Sequence, residues 1–253
     1  PDELHTAFNF SFLSCPWDAD RLRTSIDTTL AEHAPVGAPA TWVLCNHDVT
    51  RTVTRYGRAD TGFAFATKAF GTPTDLALGT RRARAAALLS LALPGAVYLY
   101  QGEELGLPEA DIPRDRIEDP MYFRSGGTDP GRDGCRVPLP WVAEAPYAGF
   151  GSREEPWLPQ PRDWASYAAD RQARDPGSPL SLYRTAIKER PVSGDGPLTW
   201  LSAPDGVLAF ARAGALCVVN LAQTPVELPA HSQLLLASSP LDAGGRLPQD
   251  TAV

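Results

Sequence analysis

Residues 41 to 51 read TWVLCNHDVTR, a short apolar run that stops abruptly on Asn46, His47 and Asp48. TWVLC does not alternate polar and apolar positions, which suits a strand buried on both faces, and such strands belong to parallel sheets covered by helices. The flanking sequence repeats the pattern. Upstream, LHTAFNFSFL (4–13) alternates in part and is rich in Phe, which predicts a strand. Asp18 is then placed to cap a helix whose Leu22, Ile26 and Leu30 recur at i, i+4 and i+8. Downstream, RRARAAALLSLAL (81–93) predicts a helix stopped by Pro94 and Gly95, and AVYLY (96–100) predicts another buried strand. SPLSLYRTAIKER (178–190) predicts a third helix, with Ser178 as N-cap, Pro179 in the first turn, and Leu182, Tyr183, Ala186 and Ile187 on its apolar face. Three strand and helix units predict an α/β fold with a parallel sheet, open or closed.

Beyond Pro191 the pattern changes to short strands: LTWLS, a turn at Pro204-Asp205-Gly206, VLAFAR, ALCVVNL and finally QLLLAS at 233–238. This predicts a small antiparallel β domain over 191–253, with the boundary in PVSGDGP (191–197). Residues 1–190 then form the α/β part. Within them, about 105–177 has little periodicity and is crowded with Pro, Gly and Trp. Such an insert is either an ordered functional loop or a disordered linker. Trp141, Trp157, Trp164, Tyr122 and Phe123 favour order, because disordered segments are poor in aromatics.

Composition narrows the function. With 253 residues, 43% hydrophobic and 21% charged, the chain can bury a sizeable core. A net charge of −7 argues against a nucleic-acid or anionic-membrane surface, which call for basic patches. Cys15, Cys45, Cys135 and Cys217 form no C-x-x-C pair, so neither a zinc site nor a dense disulfide framework is expected, and reduced thiols in a cytoplasm are the default. No apolar run reaches the roughly 20 residues of a membrane span. No cofactor is called for, and no His/Cys/Asp cluster has metal spacing. His5, His33 and His231 read as packing or surface residues. The glycines of GGTDPGRDG match neither a phosphate-binding G-x-x-x-x-G-K-[ST] loop nor, because of Gly131, a calcium loop.

In parallel α/β sheets the chemistry collects at the carboxyl ends of strands, where loops converge. Asn46, His47 and Asp48 stand at one such end, and Gln101, Glu103 and Glu104 at the next, which predicts several acidic groups at one rim. The other reading of Asn-His-Asp is a capping or loop-fixing cluster.

TWVLCNHDVTR and AVYLYQGEELGLPEADIP resemble the seventh and eighth strands of the α-amylase family of glycoside hydrolases. YFRSGGTDPGRDGCRVPLPW (122–141) is similar to the loop after the last barrel strand in its α-glucosidase and oligo-1,6-glucosidase branch. The resemblance covers essentially the whole chain. It implies the C-terminal portion of a (β/α)8 TIM barrel, with 105–177 as its active-site loop, followed by the small all-β antiparallel domain. Asp48 matches the carboxylate that stabilises the oxocarbenium-like transition state. His47 matches a histidine that hydrogen-bonds the same sugar. Arg51 matches a position lining the subsite beyond the scissile bond, and Arg132 an arginine that anchors the non-reducing glucosyl unit. Glu103 and Glu104 are expected to shape the strand end.

The implied substrate is an α-glucoside or a malto- or isomalto-oligosaccharide. Retaining hydrolysis needs two carboxyl groups about 5 to 5.5 Å apart, and in this family they lie on the fourth and fifth strands, so they are expected upstream of residue 1. A calcium site of that barrel half would lie there too. The chain is then expected to be inactive alone and, with the edges of a partial sheet exposed, poorly stable. A non-catalytic sugar-binding or scaffold module, or a transglycosylase or isomerase of the same family, are the alternatives.

Overall fold

The computed structural model describes residues 6–64, 70–151, 155–190 and 196–253. Asp2, Glu3, His5 and most of the 191–197 boundary lie outside them. The fold is α/β, and the chain divides into two compact units: residues 1–44, 80–98 and 184–253, and residues 45–79 and 99–183.

The first unit holds β1 (Thr41–Val43) and β2 (Ala96–Tyr98), paired in parallel with Trp42 opposite Val97. Trp42 and Val43 are fully buried, as a two-sided apolar strand requires. The Trp42 ring meets Phe12 edge-on at 5.1 Å, and its Nε1 donates to the Pro94 carbonyl at 2.6 Å. β2 departs from the expected buried strand, because Tyr98 is 46% exposed. Among the described residues β2 pairs with β1 alone, so one of its edges has no neighbouring strand. The strand expected at 4–13 is absent among the described residues. Phe10–Ser14 instead form a short helix, α1, whose first turn is fixed by Asn9 Oδ1 accepting from Phe12 N at 2.9 Å. α2 (Ala19–His33) follows the sequence closely. Asp18 caps it by accepting from Arg21 N, and Leu22 and Ile26 are buried.

Gly95 marks the entry to β2. Its φ is +101°, and a Cβ there would stand 2.2 Å from the Ala40 carbonyl oxygen, which accepts the first bond into the strand from Ala96 N at 2.8 Å. Gly95→Ala is expected to lower the unfolding free energy by about 2 to 3 kcal/mol. Urea titration reads this, and an unchanged midpoint would refute the close-approach account.

The same unit carries an antiparallel sheet in the order β3 (Thr199–Trp200), β4 (Val207–Arg212), β5 (Ala215–Asn220), β6 (Thr251–Ala252). Gly206, at φ +78°, closes the expected turn before β4, where Val207 N donates to the Pro204 carbonyl. QLLLAS is not a strand. Leu234 and Leu235 are exposed, and only its last residue joins the sheet region: Ser238 N donates to the Ala252 carbonyl and Ser238 Oγ accepts from Ala252 N, both at 2.8 Å. The place beside β5 is taken by β6. The compact units also do not divide at 190/191. Trp200 Nε1 donates to Asp27 Oδ1 at 2.6 Å, and Arg23 lies over the same ring at 4.7 Å, tying β3 to α2 within one unit.

The second unit is built from α3 (Thr52–Tyr56), the start of α4 (Leu76–Ala92), α5 (Pro120–Arg124), α6 (Ala169–Gln172) and the start of α7 (Pro179–Glu189), joined by loops that include short stretches of 3-10 helix. Its core gathers Leu105, Leu107, Ile117, Val137, Leu139 and Trp164. The described part of 105–177 therefore has a hydrophobic core of its own, as its aromatic content predicts. Trp141 and Trp157, by contrast, are exposed. Ser178 caps α7 by accepting from Ser181 N at 3.1 Å. Leu182, Tyr183 and Ala186 are buried, whereas Ile187 is 49% exposed.

No helix among the described residues is long and apolar enough to cross a membrane.

Candidate active site

The polar cluster begins where β1 runs out. Asn46 is buried, and its Oδ1 accepts from Asp48 N at 2.8 Å, a tight side-chain turn that ends the extended backbone and fixes Asp48. Residues 45–48 and everything that grips Asp48 belong to the second unit.

Two guanidinium groups converge on one oxygen. Arg132 Nη1 and Arg136 Nη2 each donate to Asp48 Oδ1 at 2.9 Å. Arg136 Nε also donates to the His47 carbonyl at 2.8 Å, so this fork holds the His47-Asp48 segment at two points. The His47 ring stands 3.5 Å from Asp48 Oδ2 and is 62% exposed. The Asp48, Arg132 and Arg136 side chains keep between 27% and 33% of their surface. One carboxylate oxygen therefore takes both guanidinium bonds, while the other stands beside the exposed imidazole.

Arg132 is itself anchored from behind. Its Nε donates to Asp119 Oδ2 at 2.7 Å and its Nη2 to Asp119 Oδ1 at 3.2 Å, and the Asp119 carboxyl is fully buried. Asp119 also accepts from the Arg132 and Met121 backbone N–H groups. Burial alone would push this carboxyl up; the hydrogen bonds from Arg132 and Met121 outweigh it and hold the pKa down at about 2. The same contact raises the Arg132 guanidinium further above its already high value. Asp133 completes the support, its Oδ2 accepting from Glu118 N at 2.6 Å and Asp119 N at 2.9 Å. Gly131 is required here, since at φ +73° a Cβ would lie 2.7 Å from that of Asp119.

Of the residues singled out in the sequence, His47, Asp48 and Arg132 come together. Arg51 does not join them. It is 2% exposed, its Nη1 donates to the Gln101 carbonyl at 3.0 Å and its Nη2 to the Cys135 carbonyl at 2.8 Å, and the guanidinium lies over the rings of Tyr100 and Trp164. The expectation that it lines a subsite is replaced by an interior clamp on the loops that follow residues 100 and 132. Two aromatic faces and two inward carbonyls partner the buried cation there. The rim of several acids is not formed either. Glu104 Oε2 accepts from Gly102 N, and Glu103 Oε1 accepts from the Tyr183 hydroxyl at 2.8 Å with its carboxyl end buried. Arg136 was not singled out from the sequence. Its signal is the GRDGCR spacing, since the 3-10 turn Asp133–Cys135 brings two arginines four residues apart to one carboxylate.

Among the described residues no group of three or more His, Cys, Asp and Glu side chains could hold a metal ion.

The sequence model of the alpha-amylase catalytic domain matches residues 3–193. A probable alpha-glucosidase of Rhizobium meliloti is 30% identical over 240 residues, which is 90% of this chain and 40% of that one. Maltase A1 of Drosophila melanogaster is 28% identical over 88% of this chain and 37% of its own length. The crystal structure of an alpha-glucosyl transfer enzyme, XgtA, superposes with a TM-score of 0.75 at 32% identity, over 98% of this chain and 46% of that one. The chain thus spans less than half the length of these relatives. With three quarters of its length matched in order, and its His47-Asp48 pair held by the GRDGCR loop, the chain belongs to the alpha-amylase catalytic-domain family.

Proposed function

We propose that this chain provides the sugar-binding face of a glycoside hydrolase that acts on α-linked gluco-oligosaccharides, in the manner of its α-glucosidase relatives. Asp48 takes the transition-state-stabilising role: its Oδ2 accepts hydrogen bonds from ring hydroxyls, and its charge favours the oxocarbenium-like sugar. His47 donates to the same sugar. Arg132 and Arg136 hold the carboxylate in place, so no reorganisation is needed as charge develops. The observation that carries the reading is the pair of 2.9 Å contacts on Asp48 Oδ1, which leave Oδ2 without a guanidinium bond beside the exposed imidazole. The parallel pair β1/β2 is read as the late strands of the family's barrel, and the antiparallel sheet as its terminal β domain.

Retaining hydrolysis requires a nucleophile and an acid/base separated by about 5 to 5.5 Å. Asp119 cannot serve, because Arg132 saturates it inside the protein. On this reading the chain binds sugar without cleaving it. The similarity to an alpha-glucosyl transfer enzyme supports a second outcome, glucosyl transfer rather than hydrolysis by the complete site.

NMR signals of the His47 ring and the Arg132 Nε–H are expected to shift on titration with maltose. In Asp48→Ala they are expected to respond with affinity about tenfold weaker, the loss of a charged hydrogen bond. An aryl α-glucoside should not be turned over. Unmoved His47 and Arg132 signals would sink the assignment, and clear turnover would show that the carboxylates needed are within this chain.

A further inference from the structure

Behind the loop that carries Arg132, the second unit contains a cavity of about 390 Å³, within the usual range for small-molecule sites. Gly131 and Gly134 form part of its wall, but Asp48, His47, Arg132 and Arg136 do not. Its lining is mixed. Thr50 and Thr54 are buried hydroxyl residues, Trp164 is a buried aromatic wall, and Glu109 and Arg58 bring opposite charges. Arg58 stands out. Its Nε is buried and has no hydrogen-bond acceptor among the described residues, and a buried donor in that state calls for an explanation. Burial pulls its pKa down, with the charge of Glu109 acting the opposite way.

The chemistry of this lining selects a ligand class. An anion would meet Arg58 but also the carboxylates of Glu109, Asp111 and Asp163, which line the same cavity. A cation would meet Arg58. A neutral molecule bearing many hydroxyls satisfies both, giving acceptors to the guanidinium and donors to the carboxylates. Glu109 is fixed in place: its backbone N–H donates to Thr54 Oγ1 at 2.7 Å, and its Oε2 accepts from Arg51 N at 2.8 Å.

We propose that the cavity lined by Arg58, Glu109, Thr50, Thr54 and Trp164 is a second saccharide-binding site, separate from the Asp48 cluster and specific for an uncharged sugar unit. The assignment rests on the lining and goes beyond the reading of Asp48.

The test is an NMR titration of the chain with maltose, and separately with inorganic phosphate, following the Trp164 indole N–H and the Arg58 Nε–H. Maltose is expected to move both signals, in the wild type and equally in Asp48→Asn. Arg58→Met should weaken the Trp164 response about tenfold, as loss of a charged donor does. Arg58→Lys, which keeps the charge but not the fork, gives an intermediate loss and serves if the Met variant does not fold. The proposal is overturned if Trp164 responds with unchanged affinity in Arg58→Lys and Arg58→Met, if phosphate rather than maltose moves the signals, or if Asp48→Asn abolishes the Trp164 response. A wild type in which Trp164 responds and His47 does not would leave this site standing and remove the proposed role of Asp48.

Discussion

Asp119→Ala is expected to lower the unfolding free energy of the chain by about 3 to 5 kcal/mol, the range for removing one partner of a buried ion pair. The carboxyl has no exposed surface, and the substitution strands donors from Arg132 and the backbone N–H groups of Arg132 and Met121 together. A pH dependence accompanies it. The folded pKa of about 2 lies below the unfolded value near 3.9, so this contribution, roughly 2 to 3 kcal/mol, is present above about pH 4 and lost as pH falls through 2. Urea unfolding of wild type and variant between pH 2 and 7 measures both effects. Parallel curves separated by less than about 1 kcal/mol would mean that Asp119 is not the anchor of the loop.

Glu103 carries the opposite sign. Burial raises its pKa to about 7, only partly opposed by the hydrogen bond from Tyr183, while the Glu104 charge adds to the rise. Its folded pKa lies above the unfolded value near 4.3, so the folded chain retains a proton that the unfolded chain releases. Stability is then complete below about pH 4 and falls by about 3 to 4 kcal/mol as pH rises through 7. Glu103→Gln keeps an oxygen for the Tyr183 hydroxyl and removes the titration. It is expected to match the wild type near pH 4 and exceed it by about 3 to 4 kcal/mol at pH 8.5. Equal stability of the two proteins at pH 8.5 would show that the carboxyl ionises without cost where it sits.

How much could be read in advance depends on whether a segment's own pattern or its neighbours decide its conformation. TWVLC, the Asp18 cap and the Ser178 cap were legible because apolar run length and side-chain capping act within a few residues. QLLLAS and the Phe-rich start have strand composition, but a strand exists only where a ladder partner does, and β6 and α1 hold those places. The site divides in the same way. Asp48 and His47 follow from their position after an apolar strand. Arg51, Arg132 and Arg136 look alike in sequence, and only the surrounding carbonyls, rings and carboxylates determine which turn inward and which meet Asp48. The hydrogen bond that Glu103 accepts comes from Tyr183, eighty positions away, and could not be read from the strand end alone.

The two ends of the Arg132 guanidinium live in different surroundings, one sealed against Asp119 and the other at the partly open Asp48. A rigid planar group cannot pivot at one end while the other stays fixed. The outer carboxylate therefore inherits the stillness of the interior, and a disturbance deep in the 119–133 loop would reach the surface group through a single side chain, with nothing at the surface itself having changed.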